Sequence, residues 1–234
     1  SSDVCSSDLA MLKKDISDLL KKSKKWGWVL EPDAQRIFSL SGFQTPMFDV
    51  ATGPEEALRI VRKIGYPVVA KIVSPAVVHK SDVKGVVVGV RDDETLLAAL
   101  ARFQQIDGFV GMLIAEMVKG LELIIGAKND LQFGPMILVG MGGVGVEIYK
   151  DVSLRMAPLK PRDADNMLDE LTAKKLLTGY RGSEPVNLAA LKKTLVNFSK
   201  LMMDLQNVVE SVDLNPVMCN AKSCLVVDSR IMLK

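Results

Sequence analysis

At 234 residues the chain can bury a substantial core, as one large domain or two modest ones. Its 30 lysines and arginines nearly balance 28 aspartates and glutamates, leaving a net charge of +2. Only Lys21, Lys22, Lys24 and Lys25 cluster, which argues against a nucleic-acid binder, and no apolar run reaches the roughly 18 residues of a membrane-spanning helix.

Residues 1–10, opening SSDVCSSDL, lack periodicity and are set aside as a non-native-looking leader, with Met11 as the expected start. The chain carries no charged, apolar, small-residue secretory leader, so a cytoplasmic protein is expected. Cys5 lies in that opening, Cys219 and Cys224 do not match zinc-ligand spacing, and the three cysteines argue against a disulfide framework.

Residues 11–43 form an N-terminal helical segment that includes a helix over Asp33 to Leu40 after Pro32. Thr52-Gly-Pro-Glu55 has the capping-box pattern that opens an amphipathic run of Ala57, Leu58, Ile60, Val61 and Ile64, closed by Gly65. A strand over Val68 to Val73, a strand over Val86 to Val90 and a helix from Asp92 complete an α+β unit, residues 44–108, that could move as a lid. Within it, the β-branched run Pro67 to Val73 is interrupted by Lys71, whose ammonium must reach solvent, a carboxylate or a phosphate. Lys71 is therefore a candidate anion ligand. The only histidine, His79, is followed by Lys80, Ser81 and Asp82 between two apolar strands, as in an exposed loop. Taken alone, such a histidine is more often structural than catalytic.

Three apolar runs follow, Val110 to Met117, Leu123 to Ala127 and Met136 to Val139, read as neighbouring antiparallel strands of a second unit, residues 109–234. Glu116 and Glu122 bracket Met117-Val118-Lys119-Gly120, a connection that can offer backbone edges to a flat ring and a carboxylate to a sugar, or be a polar hairpin. Gly140, Gly142, Gly143 and Gly145 precede Glu147, Lys150 and Arg155; their spacing suits an anion-binding loop or a structural turn, and is neither a Rossmann fingerprint nor a P-loop. Two helical patterns span about Pro161 to Leu177 and Leu188 to Asn207. A final strand pair covers Val208 to Val217 and Leu225 to Ile231. A hairpin turn over Asn220 to Ser223 would set Asn215 opposite Asp228, with Asp213 on the same strand face. Those oxygen donors suit Mg²⁺, while an Asx turn at Asn215-Pro216 with a surface aspartate would produce the same residues. The mixed order of elements indicates an α+β fold.

Taken together, GYPVVAKIVSPAVVHKSDVKG, AEMVKGLELIIGAKNDLQFGPMILVGMGGVGVEIYKDVSLRMAPL, LLTGYRG, DLNPV and VVDSRI, in this order, resemble the ATP-grasp subunit of ADP-forming acyl-CoA synthetases. The likeness, over about Lys24 to Lys234, is to the beta subunit of ADP-forming acetyl-CoA synthetase, with kinship to the nucleotide-binding subunit of succinyl-CoA synthetase. It implies two α+β subdomains clasping ATP or ADP with Mg²⁺, and a CoA-binding alpha subunit as partner in a hetero-oligomer. By resemblance, Lys71 contacts phosphate, Glu116, Met117 and Val118 form the adenine hinge, and Glu122 holds the ribose. Gly142, Gly143 and Arg155 match phosphate-side positions, and Asn215 and Asp228 match magnesium ligands, with Asp213 an additional candidate. His79 matches a phosphohistidine that relays a phosphoryl group to ADP. A neutral imidazole is a competent nucleophile near pH 7, which suits that role. The sequence departs from the family at Lys84-Gly85, where two glycines are usual, and at Asn187, where aspartate is frequent; Arg181 and Asn187 are left without roles. Two other readings stay open: a noncatalytic nucleotide-binding regulator and a stand-alone ATP-grasp carboxylate ligase.

Overall fold

In a computed structural model, described over residues 6–143 and 151–234, helix α1 (Ser6–Ser23) leads through a short strand β1 (Trp28–Val29) into α2 (Glu31–Leu40). Then come β2 (Phe48–Ala51), α3 (Pro54–Ile64), β3 (Val68–Val73), β4 (Val86–Val90), α4 (Asp93–Phe103) and β5 (Gly111–Glu116). The remaining elements are β6 (Leu121–Asp130), β7 (Gly134–Met141), β8 (Val152–Met156), α5 (Pro161–Glu170), α6 (Leu188–Leu205), β9 (Val209–Cys219), β10 (Cys224–Val226) and β11 (Ser229–Leu233). Strands and helices are mixed along the chain, as expected of an α+β fold.

The smaller unit comprises residues 30–32 and 46–118. Its four antiparallel strands run in the order β2-β5-β3-β4. Ile60 and Val61 of α3 and Leu96, Leu100 and Phe103 of α4 cover one face, burying Ala70, Ile72, Met112 and Ile114. Pro54 opens α3 and Gly65, at φ 86, closes it. The contact at its start differs from the expected capping box: Thr52 donates through both its backbone N–H and its hydroxyl to Glu56, not Glu55. Asp92 caps α4 by accepting from the Thr95 N–H at 2.7 Å, which holds its carboxyl below the usual range.

The larger unit comprises residues through Val29, 33–45 and 119–234. Its sheet runs β1-β11-β9-β6-β7-β8, with β10 also paired to β9. Alternation along β6 sends Leu123, Ile125 and Ala127 into a core shared with Ile37 and Phe38 of α2 and Leu195, Phe198 and Met202 of α6. The N-terminal segment is therefore not separate: β1 pairs with β11 and α2 fills this core.

Three further sequence expectations change. β5 does not neighbour β6; it pairs with β2 and β3, so the first unit extends through Val118 rather than ending at Gly108. The helix expected over Pro161 to Leu177 stops at Glu170, because the Asp151 carboxylate takes the N–H groups of Thr172 and Ala173 and Leu171 turns inward with extended backbone. Lastly, Cys219 and Cys224, opposed across the final hairpin with Cα atoms 4.1 Å apart, form a disulfide.

Candidate active site

In the smaller unit every residue of β3 is buried, including Lys71. An ammonium in that position requires an opposite charge, since desolvating a lone ion costs several kcal/mol, on the order of the whole stability of a domain. The counterion is Glu31, buried like Lys71, whose Oε1 accepts from Lys71 Nζ at 2.6 Å. Of the three possibilities read from the sequence, a carboxylate is the one found. Glu31 itself went unrecognised, since a lone acid before Pro32 has no periodic signature; the only available signal was the need of a strand lysine for an anion.

The segment after β3 returns to the sheet at Gly85, whose carbonyl accepts from the Ile72 N–H at 2.8 Å. Val77 is buried and His79 exposed, and the four residues Lys80–Val83 form a 3-10 turn. That turn is closed by the Gly85 N–H on the Lys80 carbonyl at 2.7 Å. Lys80 Nζ comes within 2.8 Å of Glu31 Oε2, so two lysines converge on one buried carboxylate. Lys84 takes left-handed backbone at φ 51, the conformation a glycine would adopt without a Cβ penalty. At the end of β5, Glu116 exchanges backbone and side-chain contacts with Met47, and Met117 and Val118 follow half-buried outside any strand. The polar-hairpin reading of this connection fails, because the strands on either side belong to different sheets.

In the larger unit, Glu122, Gly142 and Gly143 come together. The Gly142 N–H donates to the Glu122 carbonyl at 2.7 Å. A Cβ on Gly142 would lie 2.7 Å from that carbonyl carbon, and one on Gly143, at φ +80, only 3.3 Å from Glu122 Oε2. At Gly142 only glycine permits so close an approach, and at Gly143 the positive φ favours it. These residues line a cleft of about 710 Å³ with Leu121, Met141 and Leu176. Gly145, Glu147 and Lys150 lie outside the described residues.

Arg155 stands apart. It pairs with Ile137, whereas the glycine end of β7 pairs Gly140 with Val152, so about three residues, roughly 10 Å of strand, separate them. Its guanidinium is bonded to Glu170 of α5, and Ser153 Oγ donates to the same carboxylate at 2.6 Å. The Arg155 hydrogen bond, with that from Ser153, holds the Glu170 carboxyl below its ordinary range.

The final hairpin has the expected register. Cys219 faces Cys224, Val217 faces Val226 and Asp213 faces Arg230, and the Asn215 N–H donates to the Asp228 carbonyl at 3.2 Å. Asn220 Oδ1 accepts from the N–H groups of Lys222 and Ser223, fixing the turn. Around the Asn215-Pro216 bond β9 bulges against β6, because Val217 pairs with Leu123 but Leu214 with Ile125. Asp213 also meets Arg230 at 3.4 Å. The two unassigned residues differ in character. Asn187 caps α6, accepting from the Ala190 N–H at 2.9 Å, and its amide donates to the Lys222 carbonyl. Arg181 packs over the neighbouring Tyr180 ring at 5.3 Å.

Residues 21–233 match the family model described as an ATP-grasp domain. The chain is 39% identical over 213 residues to the beta subunit of acetate–CoA ligase [ADP-forming] I of Pyrococcus furiosus, spanning 88% of this chain and 91% of that subunit. It is 38% identical to the 4-hydroxybutyrate–CoA ligase [ADP-forming] of Nitrosopumilus maritimus, covering 94% of this chain but only 33% of that protein. Among solved structures, it superimposes with a TM-score of 0.83 and 41% identity on a dinucleotide-forming acetyl-coenzyme A synthetase of Ca. Korarchaeum cryptofilum. The match covers 94% of this chain and all of that one, which holds coenzyme A and Mg-AMPPCP with its phosphohistidine segment pointing towards the nucleotide-binding site.

Proposed function

Because the chain belongs to the ATP-grasp family and is a relative of ADP-forming acetate–CoA ligase beta subunits, we propose that it is the nucleotide-binding subunit of an ADP-forming acyl-CoA synthetase. With its partner it interconverts acyl-CoA, ADP and phosphate with free acid, CoA and ATP. Relatives named as beta subunits, and single-chain relatives about three times longer, imply a partner polypeptide. We assign that partner as a CoA-binding alpha subunit and place the complex in the cytoplasm with its substrates.

The observation that carries this reading is His79, the sole histidine, exposed on the turn that follows the buried lysine strand. Neither a noncatalytic regulator nor a stand-alone carboxylate ligase needs it, and the ADP-forming CoA ligase relatives favour the synthetase over both. In the relay, the bond between phosphorus and an imidazole nitrogen of His79 breaks, its electron pair returns to the ring, and a terminal phosphate oxygen of ADP bonds to phosphorus. Lys71 supplies positive charge to the migrating group. Glu116, Met117 and Val118 meet the base, Glu122 the ribose, and Gly142 and Gly143 admit close approach of backbone to the nucleotide. Arg155 is left out of this assignment because its guanidinium is turned to Glu170.

The donor set suits a hard cation. Asn215 and Asp228 offer oxygens across one strand pair with Asp213 close by. Mg²⁺ binds in that way, through one or two carboxylates and substrate phosphates, and neutralises phosphate charge when bound.

The test is incubation with γ-³²P-ATP, Mg²⁺ and a CoA-binding partner subunit, comparing wild type with His79→Ala. Acid-labile, base-stable label is expected in wild type alone. Equal label in both proteins, or none in a wild type that binds ATP, would overturn the relay.

A further inference from the structure

We propose that Glu31 and Lys80 are positioning residues for the phosphoryl relay: Glu31 is a shared counterion that ties the His79 turn, through Lys80, to the buried ammonium of Lys71. This rests on the proposed relay. The geometry is specific. Glu31 Oε1 binds Lys71 at 2.6 Å, its Oε2 lies 2.8 Å from Lys80, and the side chains of Glu31 and Lys71 are each only 4% exposed. The Lys80 side chain is 17% exposed and directly follows His79 in sequence.

The segment from Val73 to Gly85 is anchored on both sides of the exposed imidazole. Ser74 Oγ donates to the Asp107 carbonyl, Val77 is buried, and the Gly85 backbone closes the far end. Between Val77 and Gly85 the Lys80–Glu31 pair adds a buried ionic tether next to His79. In a partly desolvated place such a pair constrains position far more than an exposed one, which is worth at most about 1 kcal/mol.

Charge also makes the tether responsive. A phosphoryl group on His79 brings up to two negative charges beside Lys80, as on other phosphorylated side chains. Lys80 then stands between two anions, Glu31 and the phosphoryl group, and Lys71 is held where the departing phosphate needs a cation. Orientation of this kind is worth orders of magnitude in rate without any change in nucleotide affinity.

Lys80→Met is the discriminating variant, because it leaves the Glu31–Lys71 pair intact, whereas Glu31→Gln strips the counterion from a buried lysine and endangers folding. The protein is phosphorylated on His79 with phosphoramidate, a small donor that needs no nucleotide site, and then mixed with Mg-ADP. We expect Lys80→Met to discharge phosphate to ADP at least tenfold more slowly than wild type, with the ADP Kd unchanged within twofold, and Lys80→Arg to recover to within threefold. Discharge at the wild-type rate in Lys80→Met, or an ADP Kd weakened as much as the rate, would overturn the proposal. A second readout does not depend on the relay. With one histidine in the chain, a single set of imidazole NMR signals reports His79. Lys80→Met should shift or broaden them while the surface control Lys63→Met does not. If wild-type phosphoprotein fails to discharge to ADP, the relay falls, and these signals still decide the tether: unchanged signals in Lys80→Met would overturn it.

Discussion

Lys84 and Gly85 are adjacent and have opposite requirements. Lys84 holds left-handed backbone, where an L residue is strained by about 1–2 kcal/mol and glycine is not, although glycine loses about 0.5–1 kcal/mol of chain entropy on folding. Gly85 has no room: a Cβ there would run into the Ile72 side chain and fall 3.0 Å from the Lys80 carbonyl oxygen. Lys84→Gly should therefore stabilise the protein slightly, by up to about 1 kcal/mol, whereas Gly85→Ala should destabilise it by about 1–3 kcal/mol. Urea unfolding of the two variants checks both signs, and a destabilised Lys84→Gly would mean that its side chain holds the turn. The family pattern of two glycines thus separates into one position that is sterically required and one that is only conformationally preferred.

The Arg155–Glu170 bond joins β8 to α5 about three residues along the sheet from Gly140. Glu170 is held below its ordinary pKa by Arg155 and then by Ser153. Its contribution to stability is therefore fully present above the unfolded carboxylate value of about 4.3 and is lost as pH falls through the lower folded value. Glu170→Gln should flatten the fall in urea midpoint between pH 5 and pH 2, and Arg155→Met should leave Mg-ADP affinity within threefold of wild type. An unchanged acid slope, or a large loss of ADP binding, would return Arg155 to the phosphate site. The same elements explain what the sequence could reveal. The last hairpin was legible down to its register, because a tight Asn220–Ser223 turn and period-2 pairing fix every opposed residue, Asn215 and Asp228 among them. The partner of β5 was not, since Gly111–Glu116 and Leu121–Asp130 are both apolar runs and no local pattern says that the chain changes sheets between them. The end of α5 was hidden for a similar reason. It is set by Asp151, about twenty residues upstream, and helical periodicity past Glu170 was real but outcompeted.

Across the whole molecule, the two units have separate cores, one built on Phe103, Leu100 and Ile114 and the other on Phe198, Leu195 and Ile125. A chain of this kind need not unfold in one step. Both tryptophans, Trp26 and Trp28, belong to the larger unit, so tryptophan fluorescence reports that unit alone while far-UV circular dichroism reports both. Phe103 and Phe198 are fully buried, and truncating such a side chain to alanine costs about 3–5 kcal/mol. Phe103→Ala should move the dichroism transition to lower urea and leave the fluorescence midpoint in place. Phe198→Ala should lower the fluorescence midpoint by at least 1 M, given a slope of about 1–3 kcal/mol per molar urea. If Phe103→Ala shifts both signals together, the units unfold as one cooperative body. His79 would then share its stability with Asn215 and Asp228 rather than belong to a unit that opens by itself, and a change at either core would reach both halves of the proposed relay.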